Sequence, residues 1–435
     1  MAGCGYDESH GNGIGIRAGA TVMRHGFSSA GNDLCVSYAA GYFSNSHLEL
    51  GIGSAVVDFS LTDEQKALRA SVKEWAAATI APGAAERDRE GRWDPAIWKS
   101  LGEQGLAGLP VPEQWGGGGG SIMDCVVVNE AIAEGGHDGG FNLSLGAHWV
   151  IGATPIWLHG TDEQRRRYLP PLCDGTMIGA WASTEPEAGS DSGALRTTAV
   201  PDGDDWVLNG TKIFITNGPI AGVCNVLART GERSVSAFIV ETDNPGFKVG
   251  RELDKMGCRS SPTAEIALVD CRVPGDALLG PEGEALWRIA FECFDWERTV
   301  MMGSAIGGMQ STLDASIRYA KERKQFGKPI AHHQAIAHKL AEMKMRLEAC
   351  RNAVYKAAHL KQIGAEHQME ASIAKLMTGE YSVQNALDAI QIHGGYGYLR
   401  DFPAERALRD AKLGSIGGGT SEIQKLIISR LLLGD

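Results

Sequence analysis

The tightest constraint on this 435-residue chain is a double change of hydrophobic period along its length. Apolar residues recur first at helical spacing, then in short β-branched runs between turn signals, then at helical spacing again to the end. A 3.6-residue period buries one stripe of a helix, whereas a strand buries alternate residues, so each block commits to one kind of element. The order predicts an α+β chain: a helical domain over 57–178, an antiparallel β domain over 179–281, and a helical bundle over 282–435.

The first block opens with Thr62-Asp63-Glu64-Gln65, a capping box in which a hydroxyl caps the helix and an amide three residues on reaches back. Leu68, Val72, Trp75 and Ile80 then follow at helical spacing, and the run PEQWGGGGG (112–120) predicts a turn or mobile loop. In the middle block, WVLNG, KIFITN, CNVLART, VSAFIVET and EIALVDCRV read as strands separated by turns such as PDGDD and DNPG. The last block has long periodic stretches over 282–322, 334–363 and 367–392, punctuated by Gly394-Gly395 and Gly417-Gly418-Gly419.

Residues 1–56 are rich in Gly, Ser and Asn, lack Pro and Lys, and have no sustained period, which predicts a disordered extension. The same segment is what would precede an alternative start at Val57. Its Gly13-Ile14-Gly15-Ile16-Arg17-Ala18 matches a dinucleotide fingerprint in letters only, because no strand precedes it and no helix follows.

A net charge of −12 argues against nucleic acid or an anionic membrane as the main partner. No apolar run is long enough to span a bilayer, and the N-terminus lacks the basic-then-apolar order of a secretory signal. Nine scattered cysteines without a C-x-x-C pair fit reduced thiols in a cytoplasmic protein, with neither a disulfide framework nor a metal site.

Three constellations could carry chemistry. Trp181-Ala182-Ser183-Thr184-Glu185-Pro186-Glu187-Ala188-Gly189-Ser190-Asp191 clusters hydroxyls and backbone N–H groups that could bind a flat heteroaromatic ring, although an ordinary capped turn fits as well. In Lys212-Ile213-Phe214-Ile215-Thr216-Asn217-Gly218, an aromatic and a hydroxyl two apart share a strand face; a half-buried strand is the plain alternative. Lys321-Glu322-Arg323-Lys324-Gln325-Phe326-Gly327, with His333-Gln334 following, either complements a helix dipole or grips a pyrophosphate.

Together these segments resemble the acyl-CoA dehydrogenase flavoprotein family over residues 59–435. STEPEAGSD resembles its first signature, and KIFITNG resembles its W-I-T-N-G strand with Phe214 in place of Trp. YAKERKQFGKPIAHHQAIAHKLAEM, QIHGGYGYLRDFPAERALRDAK and GGGTSEIQKLIISR resemble its C-terminal helical domain. The resemblance implies FAD between the β domain and a C-terminal four-helix bundle. Thr216 would bond near flavin N5 and Thr184 at the pyrimidine end, with Trp181 and Ser183 beside them and Ser190 toward the thioester. Arg323, Phe326, Gln334, Gln391 and Gly395 would hold the ADP half, largely across a subunit interface, and Thr420 and Glu422 match the last FAD contacts. A homotetramer, an acyl-CoA substrate and electron-transfer flavoprotein as acceptor follow from the same resemblance.

The family removes an α-proton and a β-hydride from an acyl thioester to give the trans-2-enoyl product. Its medium-chain branch carries the base as the Glu of Tyr-Glu-Gly-Thr-Ser, where this chain has Gly417-Gly418-Gly419-Thr420-Ser421. The isovaleryl-CoA and long-chain branches place the base on a much earlier helix, at the position of Phe294-Asp295-Trp296-Glu297-Arg298 here, in a Glu-Arg context and paired with Gly or Ala on the loop. Glu297 and Gly418 match both halves of that swap. Val300 and Met301 are expected to surround Glu297 with apolar atoms and raise its pKa. The backbone N–H of Gly418 would stabilise the enolate oxygen, and Asp295 and Arg298 match positions contacting CoA, a local ion pair between them being the alternative. A carrier-protein thioester substrate, a flavin oxidase or monooxygenase on the same scaffold, and a non-catalytic flavin protein are the competing readings.

Overall fold

The computed structural model describes residues 60–434. The expected disordered extension and its Gly13–Ala18 stretch lie outside them.

Helix α1 (Asp63–Thr79) starts where the capping box places it: Gln65 N–H donates to Thr62 Oγ1 at 3.2 Å, and Thr62 N–H donates to Gln65 Oε1 at 3.1 Å. Helices α2 (Ala84–Glu90), α3 (Pro95–Glu103), α4 (Ile122–Gly136), α5 (Gly139–Ala147), α6 (Thr154–His159) and α7 (Asp162–Cys173) complete the first block. α4 is buried on every side from Cys125 to Gly136, so it is the central rod of this block. Its Glu130 carboxylate is fully buried and therefore needs partners: Arg69 at 3.2 Å, Arg351 at 3.1 Å and the Tyr355 hydroxyl at 2.7 Å.

The glycine run is a folded turn. Gly118, Gly119 and Gly120 donate backbone N–H groups to the carbonyls of Gly108, Val111 and Leu109 at 3.0, 2.9 and 2.8 Å. A side chain at Gly117 would run into the Val111 carbonyl, so the run lets two backbones touch.

The middle block is one sheet of β1 (Gly179–Ala182), β2 (Thr198–Asp202), β3 (Asp205–Thr216), β4 (Val223–Gly231), β5 (Ser234–Glu241), β6 (Phe247–Glu252), β7 (Thr263–Pro274) and β8 (Leu278–Leu279). The strand order is β6-β7-β3-β2-β4-β5-β8, with β1 alongside β4. The sheet is mixed rather than purely antiparallel: β1 and β4 run parallel, and β2 meets β4 in parallel at Thr198 and Arg229. Parallel neighbours need a crossover, which the intervening β2–β3 hairpin supplies. β3 bulges against β7 between Lys212 and Ile215, and Phe214 inside the bulge has φ +61°. The simple two-residue alternation expected there is therefore interrupted.

In the last block a π-helical turn (Ala285–Ala290) leads into α8 (Phe291–Thr299) and α9 (Met302–Glu322). The single stretch expected over 282–322 breaks at 300–301, where the Val300 carbonyl accepts from the Asn129 amide of α4 at 3.1 Å. A short hairpin of β9 (Lys324–Gln325) and β10 (Lys328–Pro329) precedes α10 (Gln334–Gln362) and α11 (Gln368–His393), close to the predicted spans. α12 (Pro403–Lys412) and α13 (Ser421–Leu433) finish the chain. α9, α10, α11 and α13 form the bundle, with α12 packed on α11. One apolar cluster joins α1, α4 and α5 to α8–α11, so the two helical blocks share a core that sets α8 against the π-helical turn (His148–Ala153) after α5.

Candidate active site

The glycine triplet lies between α12 and α13. Gly417 N–H donates to the Leu413 carbonyl at 2.9 Å, and Thr420 caps α13, its Oγ1 accepting from Ile423 N–H at 3.3 Å. Gly418 and Gly419 have φ +65° and +89°, which glycine alone adopts without strain. Facing them, α8 presents Glu297. A Cβ added at Gly418 would lie 3.0 Å from the Glu297 carboxyl carbon and 3.2 and 3.3 Å from its two oxygens. The missing side chain on the loop thus makes room for the carboxylate on the helix.

Glu297 lines a cavity of about 2230 Å³ between the β domain and the last block. The walls remove it from bulk water, and this desolvation pushes its carboxyl above the ordinary value; Arg298 and Lys375 pull the other way. Arg298 lies over the Phe294 ring at 5.6 Å, with Nε 3.5 Å from the Gly418 carbonyl. The thioether of Met301, one turn from Glu297, covers Gly146 of α5: a Cβ at Gly146 would come within 2.8 Å of its methyl group. Val300 instead packs into the helical core, so Met301 and Phe294 supply the apolar cavity surface near the carboxylate.

The same cavity is lined by Trp181 in β1, by Ser183, Thr184 and Ser190 from the loop after it, by Phe214 and Thr216 at the end of β3, and by Thr420. The Trp181 indole N–H is buried without a partner, and Phe214 is 64% exposed at the cavity. A spare donor, the hydroxyls of Ser183, Thr184, Ser190 and Thr216, and an aromatic face on the β-domain wall fit a flat ring system edged with acceptors, as a flavin is. Among the described residues no cluster of metal-ligating side chains forms.

The three family models for the N-terminal, middle and C-terminal domains of acyl-CoA dehydrogenase match residues 62–176, 180–271 and 287–433. The chain belongs to the acyl-CoA dehydrogenase family. It is 44% identical over 382 residues to a probable acyl-CoA dehydrogenase, YngJ, of Bacillus subtilis, covering 87% of this chain and 100% of that one. It is 39% identical over 405 residues to the mitochondrial isovaleryl-CoA dehydrogenase of Pongo abelii, covering 91% and 95%. The solved butyryl-CoA dehydrogenase of Megasphaera elsdenii superposes with a TM-score of 0.84 at 38% identity, covering 86% of this chain and 100% of that one.

Seven of the residues expected at the site lie away from this acyl-CoA dehydrogenase cavity. Arg323, Phe326, Gln334, Gln391 and Gly395 are exposed where α9, the β9–β10 hairpin, α10 and α11 end or begin. Phe326 is 93% exposed, and Arg323 sits over the Tyr396 ring at 5.7 Å. Glu422 is exposed in the first turn of α13. Asp295 turns to the other side of α8, where it meets the Lys361 ammonium and His367 Nε2, the latter at 2.5 Å. It therefore neither faces the cavity nor pairs with Arg298.

Two functional groupings escaped the sequence reading. The Ser183–Thr184 wall is held by a buried pair: Lys212 Nζ donates to Glu185 Oε1 at 2.8 Å and to the Ser183 carbonyl at 3.2 Å. Glu185 also accepts from Thr197 N–H at 2.9 Å and from Arg196 N–H at 2.5 Å. Desolvation acts to raise its pKa, but these hydrogen bonds hold it below the ordinary value. The second is Lys375 on α11, 1% exposed, whose Nζ donates to the carbonyls of Gly414 and Gly419 at 2.9 and 2.6 Å. Its signal was present: Ala371, Lys375, Thr378 and Ser382 share one helical stripe, and the other three are small.

Proposed function

We propose that this chain is an FAD-dependent dehydrogenase of a short, branched acyl-CoA thioester, with Glu297 as the base that takes the α-proton. The observation that carries the reading is the fit between the Glu297 carboxyl and the missing side chain of Gly418, inside a cavity whose other wall suits a flavin. Glu297 is partly withdrawn from water, which makes it a better proton acceptor than an exposed carboxylate. The N–H of Gly418 meets the thioester oxygen as enolate charge develops, a task that needs backbone only. Arg298 faces the same loop and keeps positive charge near that oxygen. Trp181, Ser183, Thr184, Phe214 and Thr216 would hold the isoalloxazine, and FAD, when bound, would supply the two-electron acceptor for the hydrogen lost from the β-carbon.

Two features support a short and branched acyl group. Gly417 leaves lateral room beside the α-carbon, a Cβ there meeting only Leu413 atoms at 3.7 Å or more, while Met301 lying over Gly146 limits depth. The exposed group from Arg323 to Gly395 supports a homo-oligomer, taken as a tetramer, in which these residues serve a neighbour's FAD. Electron-transfer flavoprotein is the acceptor in this reading.

Anaerobic bleaching of the flavin by a panel of acyl thioesters tests it. The expected result is fastest reduction by four- or five-carbon CoA thioesters and slow reoxidation by oxygen. Faster bleaching by the same acyl groups on a carrier protein would overturn the CoA assignment. Rapid reoxidation by oxygen would replace the dehydrogenase with an oxidase.

A further inference from the structure

The carboxylate and the loop that faces it come from elements far apart in sequence, and something must fix the gap between them. The loop's first end is seated directly on α11: a Cβ at Gly379 would lie 2.5 Å from the Gly414 carbonyl. Its second end, around Gly419, is bracketed by side chains. Gln424 Nε2 lies 3.3 and 3.2 Å from the carbonyls of Gly418 and Gly419. Among the described residues Lys375 alone spans both ends, through Gly414 and Gly419.

Burying an ammonium is unfavourable unless its protons are used. Among the described residues Lys375 makes no ion pair with a carboxylate; its Nζ donates instead to the two loop carbonyls. An apolar side chain of equal length would fill this site without the desolvation penalty. What only the ammonium supplies is a multi-donor bracket and a positive charge beside the site. We propose that Lys375 is a positioning residue: it ties both ends of the glycine loop to α11, sets the gap between Gly418 and Glu297, and keeps Glu297 ionised enough to act as base.

The last part rests on Glu297 being that base. Glu297 is faced by Arg298 from its own helix, by Lys375 from α11 and by the uncharged glycine loop, with the buried Cys293 thiol one turn earlier. Lys375 in turn is faced by Glu297 and Arg298 from α8, by Glu380 on its own helix and by Glu422 on α13. Burial lowers its pKa to about 8, while the Glu297 carboxylate acts in the opposite direction and favours the ammonium.

The test compares Lys375→Met and Lys375→Arg in the FAD-loaded protein, with hydrogen exchange of the 414–420 backbone and the pH profile of flavin reduction as readouts. Loss of two charge-assisted hydrogen bonds should raise exchange in that segment by about tenfold or more in Lys375→Met. The acid limb of flavin reduction should move to higher pH in Lys375→Met and stay near wild type in Lys375→Arg, which keeps the charge. Unchanged exchange in Lys375→Met overturns the bracket. An unmoved acid limb, or the same shift in both variants, overturns the electrostatic role. Glu297→Gln is measured alongside: reduction at the wild-type rate in that variant removes Glu297 as base and with it the electrostatic role, while the exchange result still decides the bracket.

Discussion

The α-carbon of Gly418 faces the carboxyl of Glu297 so closely that a methyl group on it would sit 3.0 Å from the carboxyl carbon. Gly418→Ala therefore combines two penalties: a non-glycine residue at φ +65°, costing about 1 kcal/mol, and a contact that pushes the carboxylate aside. Flavin reduction should fall by roughly 10- to 100-fold with FAD content unchanged, because misplacing a reacting group by a fraction of an ångström is enough. Stopped-flow reduction by the best thioester checks this; a wild-type rate would show that the gap is not needed.

Glu297→Gln removes the proton acceptor and keeps the shape. Reduction should fall by about 10²- to 10⁴-fold, the usual contribution of a positioned general base. The pH dependence has a defined sign. The base must be ionised, so the rate rises with pH through a pKa that lies above the ordinary carboxylate range because of desolvation. Stability runs the opposite way. A raised carboxyl pKa contributes stability that is fully present below the unfolded value and is lost as pH rises through the folded value. Thermal melts of Glu297→Gln should lack that decline.

Lys212 and Glu185 stand behind the flavin wall, both almost wholly buried. Lys212→Met leaves Glu185 charged and short of one partner, which should cost about 3–5 kcal/mol. The urea midpoint should drop, and FAD should be released more readily than from wild type because Ser183 loses its tether. Replacing both residues with apolar ones of similar volume should recover part of the stability but not the cofactor affinity.

Met301 over Gly146 predicts the depth of the acyl pocket. Met301→Ala should shift the preferred thioester toward longer chains, at a stability cost of about 2–3 kcal/mol for the packing lost. Initial rates across a chain-length series measure this; an unchanged optimum would place the pocket floor elsewhere.

The sequence alone determined the elements and their order. The capping box at Thr62, the period of the long helices and the turn-separated β-branched runs are local signals, and each acts through the backbone within a few residues. The absence of a carboxylate at Gly418 and its presence at Glu297 were also legible, since both are facts of composition at motif positions. Only the tertiary structure decided which neighbours these residues meet. Asp295 and Arg298 are three apart on one helix, yet α10 and the start of α11 draw Asp295 outward while the glycine loop draws Arg298 inward. Val300 and Met301 are adjacent, but one enters the core and the other the cavity. Lys375 and Lys212 read as ordinary lysines until packing buries them against carbonyls and a carboxylate. The reason is physical: spacing fixes which face a side chain occupies, whereas its partners and its desolvation depend on chain segments that approach from far away in sequence.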